Sequence, residues 1–82
     1  MKKLRTQDDG KNIISSRLIA LRNQCGYSQR ELAEQLQLAD FNVDKNLITR
    51  IETNKRYVTD IELKALTEIF QVSYDYLIEG KE

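Results

Sequence analysis

The sequence predicts an all-α protein of five short helices, and three observations carry that prediction. Apolar residues recur at steps of three and four through most of the 82-residue chain. Ser, Thr or Asp stands where several of these runs begin, and Gly or a polar cluster stands where they end. Almost nothing alternates apolar and polar residues with the period of two expected of a half-buried strand.

The first helix is expected over residues 12–25, where Ile14, Leu18, Leu21 and Cys25 share one face and Gly26 supplies the stop. Ser28-Gln29-Arg30-Glu31 fits the capping box and opens a second helix that buries Leu32, Ala33 and Leu36. Asp44 can cap a third helix over residues 45–53, ended by Asn54-Lys55-Arg56. Thr59-Asp60-Ile61-Glu62 is a further capping box, and its helix presents Ile61, Ala65, Leu66, Ile69 and Phe70 on one face. Ser73 can cap a last short helix over residues 74–78, stopped by Gly80.

The join QLADFNVD, residues 37–44, is the one long connection. Leu38, Phe41 and Val43 are apolar and are expected to anchor it to the core, with the second helix running on to Leu38 or Ala39. Residues 1–11 are polar and charged and are expected to form a flexible arm, residues 12–80 one folded domain, and residues 81–82 a tail. The chain is long enough for a single modest core.

With no Pro, no Trp, no His, three Gly and one Cys, the sequence lacks a disulfide framework, a Cys/His metal cluster and the commonest general base. No nucleotide-binding Gly loop and no catalytic carboxylate pair stand out, so an enzyme and a cofactor are not expected. Cys25 is expected as a small buried hydrophobe in a reducing compartment. No apolar run approaches the roughly twenty residues that span a bilayer, and MKKLR continues into TQDDGKN instead of a signal segment, so a cytoplasmic protein is expected.

Net charge is zero but unevenly placed. Residues 1–56 carry eleven Lys/Arg against seven Asp/Glu, and residues 57–82 carry two against six. An anion would meet the first part. At about 100° per residue, Leu47, Ile48 and Ile51 of the third helix fall together between about 200° and 300°. Lys45, Asn46, Thr49, Arg50 and Thr53 fall between about 0° and 140° and make a polar face without a carboxylate. Lys and Arg can donate to guanine, Asn can pair with adenine, and Thr can meet a base or a thymine methyl. A solvated surface is the commoner meaning of such a face. Glu52, at about 340°, borders the buried side, where either Arg22 pairs with it or water solvates it.

RLIALRNQCGYSQRELAEQL, then NLITRIETNKR, then LKALTEIFQVSYDYLIEG resemble the Cro/repressor helix-turn-helix family, also called the XRE family, across residues 14–80. The resemblance implies a five-helix lambda-repressor-like domain whose second and third helices form the helix-turn-helix, the third lying in the major groove. It places Lys45, Asn46, Thr49 and Arg50 at base-facing positions and Gln29, Asn54, Lys55 and Arg56 at phosphate-contacting ones. It makes Arg22 and Glu52 a buried ion pair. Leu47 either touches a thymine methyl or packs. The family's turn is usually about four residues and carries a Gly. Here about five extra residues are present and that Gly is absent, so the aim of the third helix is where this chain departs from the pattern.

The expected function is a sequence-specific, double-stranded-DNA-binding transcriptional regulator, a repressor and a homodimer, with no membrane and no small-molecule ligand evident. Tyr74, Tyr76, Leu77 and Ile78 either make the dimer contact or close the domain's own core. The rival reading is a protein-interaction module on the same fold that binds an antitoxin or regulator instead of DNA.

Overall fold

A computed structural model of the chain describes residues 5–6 and 9–81. Five helices follow in order: α1 (Ser15–Gln24), α2 (Gln29–Leu38), α3 (Lys45–Glu52), α4 (Asp60–Phe70) and α5 (Tyr74–Glu79). No strand occurs among the described residues.

In four of them the N-cap residue's own side-chain oxygen makes the first bond. Ser28 and Glu31 exchange both bonds of a capping box, at 3.0 and 2.9 Å, and Thr59 and Glu62 do the same at 3.1 and 3.0 Å. Asp44 Oδ1 accepts from the Leu47 N–H at 2.8 Å, and Ser73 Oγ from the Tyr76 N–H at 3.0 Å. Each such cap is worth about 1 kcal/mol because it satisfies an otherwise orphaned donor. α1 differs. It begins three residues later than expected, and the apolar side chain of Ile14 at its N-cap makes no cap bond.

The helix ends share a left-handed residue, and only two of these are Gly. Gly26, Asp40, Asn54, Gln71 and Gly80 all have φ between 55° and 72°. At the end of α2 the Asp40 N–H returns to Gln37 O at 3.0 Å and the Phe41 N–H to Leu36 O at 2.9 Å, which is a Schellman closure. Asp40 therefore takes the place that a turn glycine would hold. Its short polar side chain makes the left-handed region accessible at lower cost than for most residues.

The core is a single cluster in which Ile14, Leu18, Leu32, Leu36, Ile48, Ile51 and Leu77 are the most deeply enclosed. Val43 is buried and Phe41 packs against the cluster, so two of the three expected anchors of the join hold it. Three expectations are corrected. Leu38 is 79% exposed, because at about 100° per residue it falls on the side of α2 opposite Leu32, Ala33 and Leu36. Ile61 is 70% exposed at the first turn of α4, while Ala65 and Leu66 one turn on are buried. Cys25 is exposed, because it is the C-cap where α1 gives way to the Gly26 turn.

Of the expected arm, the Thr6 N–H donates to Gly10 O at 2.9 Å, and Gly10 is buried. Residues 1–4 and 7–8 of the expected arm and residue 82 of the expected tail lie outside the described residues. Among the described residues no helix is long and apolar enough to cross a membrane.

Candidate nucleic-acid interface

α3 presents one face and buries the other. Ile48 and Ile51 are buried, and Leu47 is partly buried against the core. Lys45, Asn46 and Arg50 are exposed, and Thr49 sits at the edge of the same face. No carboxylate lies between Lys45 and Ile51.

The inner edge of that face is fixed by a chain of polar contacts across three helices. Arg22 Nε donates to Glu52 Oε2 at 2.7 Å and Arg22 Nη2 to Glu52 Oε1 at 3.0 Å, while Arg22 Nη1 donates to Tyr27 O at 2.9 Å. Gln29 Nε2 donates to Glu52 Oε1 at 2.9 Å, and Thr49 Oγ1 donates to Gln29 Oε1 at 2.8 Å. A carboxylate accepts only, so Glu52 orients the Gln29 amide, and the amide oxygen then faces the Thr49 hydroxyl. The Arg22 guanidinium is held above its usual pKa, first by the hydrogen bond to Glu52, against its own burial, with the Glu52 charge adding to the rise. Glu52 consequently presents no open negative charge to the outer face: its side chain is 4% exposed.

The loop after α3 was expected to offer three phosphate contacts, and the structure separates them. Lys55 is exposed. Arg56 forms an ion pair through Nη2 with Glu62 Oε2, a carboxylate that also closes the α4 capping box. Asn54 Oδ1 accepts from the backbone N–H groups of Lys11 and Asn12, at 3.0 and 2.8 Å. Gln29 likewise has both ends of its amide engaged within the protein. Sequence periodicity could not reveal this, since the partners of Asn54 and Gln29 are twenty or more residues away and Arg56 meets Glu62 across the loop between α3 and α4. No motif in the sequence marks Asn12, yet its side chain reaches the end of α3.

At α5 the four dimer candidates also part. Leu77 is fully buried and belongs to the core. Tyr76 and Ile78 are partly buried against it, with the Arg17 guanidinium 5.2 Å from the Tyr76 ring centroid, and Tyr74 is 49% exposed. Among the described residues no group of three or more acidic, Cys or His side chains is arranged to hold a metal ion.

A family model described as helix-turn-helix matches residues 18–77. The chain belongs to the XRE-type helix-turn-helix family. In this helix-turn-helix protein, α2 and α3 are the two helices of the motif, and residues 39–44 are its turn. Two solved structures share the fold. A hypothetical transcription factor, NHTF, from Neisseria superposes with a TM-score of 0.72 at 18% identity, over 95% of this chain and 84% of that one. The P22 c2 repressor protein, solved in complex with synthetic operator 9T, superposes with a TM-score of 0.71 at 24% identity, over 85% of this chain and 98% of that one. Among curated proteins none matches. The helix-turn-helix protein therefore has the lambda-repressor-like fold, with the longer turn accommodated by the Asp40 closure and the Phe41 and Val43 anchors.

Proposed function

We propose that this chain is a DNA-binding transcriptional regulator that lays α3 in the major groove of double-stranded DNA and acts as a repressor. One observation carries the reading. Lys45, Asn46 and Arg50 stand exposed on a face free of carboxylates, on a helix whose other side is locked to α1 and α2 through Arg22, Glu52 and Gln29. Base readout needs donors held in a fixed register, and a phosphate backbone repels acids. The P22 c2 repressor, which shares the fold, was solved on an operator, and this supports the same use here.

In this reading Arg50, Asn46 and Lys45 meet base edges, with Thr49 at their rim. Lys55 meets a phosphate. Gln29 through its whole amide, Asn54 through Oδ1 and Arg56 through Nη2 are engaged inside the protein and hold the loops that make the remaining backbone contacts. One domain of this size makes few base contacts, so a homodimer reading two half-sites about 34 Å apart supplies the specificity. Tyr74, with the exposed edges of Tyr76 and Ile78, is the candidate contact between copies.

The rival reading, a protein-interaction module, is favoured by zero net charge and by the exposed Leu38 and Ile61. Binding to random duplex across a salt series separates the two. A DNA binder loses affinity steeply as salt rises because counterions are released. Binding that is absent at low salt selects the rival.

A further inference from the structure

We infer that Asn12 and Asn54 form a reciprocal clasp that positions Lys55 for a phosphate, with Asn12 acting as a positioning residue from outside the helix-turn-helix. This rests on the DNA-binding reading above.

Asn54 ends α3 at φ 61°, a conformation that glycine would adopt more readily. The side chain it carries instead is used. Its Oδ1 accepts from the N–H groups of Lys11 and Asn12, residues more than forty positions earlier. Asn12 answers in the other direction: its Nδ2 donates to Ile51 O at 3.1 Å and to Arg56 O at 3.0 Å. Its Oδ1 accepts from the Ile14 and Ser15 N–H groups, at 3.2 and 3.0 Å, and so caps α1 from two residues upstream of Ile14. Two donors and one acceptor oxygen with two bonds is the full capacity of an asparagine side chain. Nothing in this arrangement is spare.

Gly10 makes the clasp possible. A Cβ there would lie 2.0 Å from Asn54 Nδ2 and 2.7 Å from both Asn54 Cγ and Thr6 Oγ1. Any larger residue must displace the Asn54 side chain, and that side chain is too short to swing aside and keep its bonds.

Lys55 sits in the middle of what the clasp holds. On one side Asn54 is bonded to Lys11 and Asn12; on the other the Arg56 carbonyl is bonded to Asn12 and the Arg56 guanidinium to Glu62. The Lys55 N–H itself closes on Arg50 O at 2.9 Å. The backbone under Lys55 is thus pinned on both flanks while its side chain stays exposed. A lysine whose backbone is fixed in advance loses less freedom on binding than one carried on a mobile loop, and that is how the clasp adds to affinity without touching DNA.

The test is a double-mutant cycle on duplex binding, with the full chain and a duplex selected from a random pool. Lys55→Ala in the wild-type background should weaken binding about eightfold at 0.1 M salt and lower the salt slope by about 0.9. Asn12→Ala and Gly10→Ala should each weaken binding severalfold. In either background, adding Lys55→Ala should then cost less than about twofold, because the lysine is no longer presented. Gly10→Ala decides if Asn12→Ala melts the first turn of α1, since it expels Asn54 and leaves the Asn12 cap of α1 in place. Full, multiplicative effects in both backgrounds overturn the clasp alone. A wild-type chain that binds no duplex overturns the DNA-binding reading and the clasp with it.

Discussion

Arg22 and Glu52 meet through two hydrogen bonds, 2.7 and 3.0 Å long, with side chains only 16% and 4% exposed. The pair joins α1 to the last residue of α3, and Gln29 extends it to α2. The tilt of α3 is therefore set by polar geometry at one end and by Ile48 and Ile51 along its length.

Removing one partner should cost more than removing both. Arg22→Ala leaves a carboxylate enclosed with only the Gln29 amide, and urea unfolding should show a loss of about 3 kcal/mol. Replacing Arg22 and Glu52 together by Met should recover most of it, with duplex affinity still reduced because α3 is less firmly held. The raised Arg22 pKa means its contribution is complete below the unfolded value and fades only as pH rises through the folded one, so it adds no pH dependence near neutrality. An equal loss in the single and double variants would contradict this account of the pair.

Arg50→Ala should weaken binding to a selected duplex by about 1–3 kcal/mol and relax preference at one base pair, since a bidentate donor is lost. Lys55→Ala should weaken all sequences alike. Titration against the selected duplex and its single-base variants measures both.

Asp40 holds φ 68° at the closure of α2. Asp40→Val should destabilise the fold by about 1–2 kcal/mol, the cost of a left-handed residue with a branched side chain. Asp40→Gly should be neutral or stabilise by up to about 1 kcal/mol. Thermal melts of the two variants should bracket the wild type, and a stable Asp40→Val protein would mean that the turn can close in another way.

Glu31 is held below the ordinary carboxylate range, first by the backbone N–H of Ser28 and then by the Ser28 hydroxyl. A depressed carboxylate pKa contributes stability that is present above the unfolded value and lost as pH falls through the folded one. The start of α2 should therefore fray first on the acid side, and Glu31→Gln should flatten that part of the pH–stability curve. Titration of the Glu31 carboxyl carbon by NMR gives the pKa directly; a midpoint at or above that of free glutamate would rule the cap contribution out.

Much of this fold is written locally. Ser28, Asp44, Thr59 and Ser73 act on an N–H three residues ahead, so the sequence alone places the starts of α2 to α5. Glu52 faces inward because helical periodicity puts it beside Ile48 and Ile51, and the Arg22 partner follows from the family resemblance. Periodicity names a face but not what lies against it. Ile61 shares a face with the core residue Ala65 yet is exposed in the first turn of α4, Leu38 lies on the side of α2 away from Leu32 and Leu36, and Cys25 falls at a cap. The left-handed Asp40, Asn54 and Gln71 carry no glycine signal. The contacts of Asn12 with Asn54 and of Arg56 with Glu62 depend on how the loops dock, and the positions of loop docking are the least visible in a sequence.

Selection of bound duplexes from a random pool asks whether the outer face of α3 reads DNA. Enrichment of a motif with two related half-sites, one helical turn apart, is expected, together with loss of that enrichment in Arg50→Ala. A pool that remains random after repeated rounds at low salt, with the protein folded, would contradict DNA readout by that face.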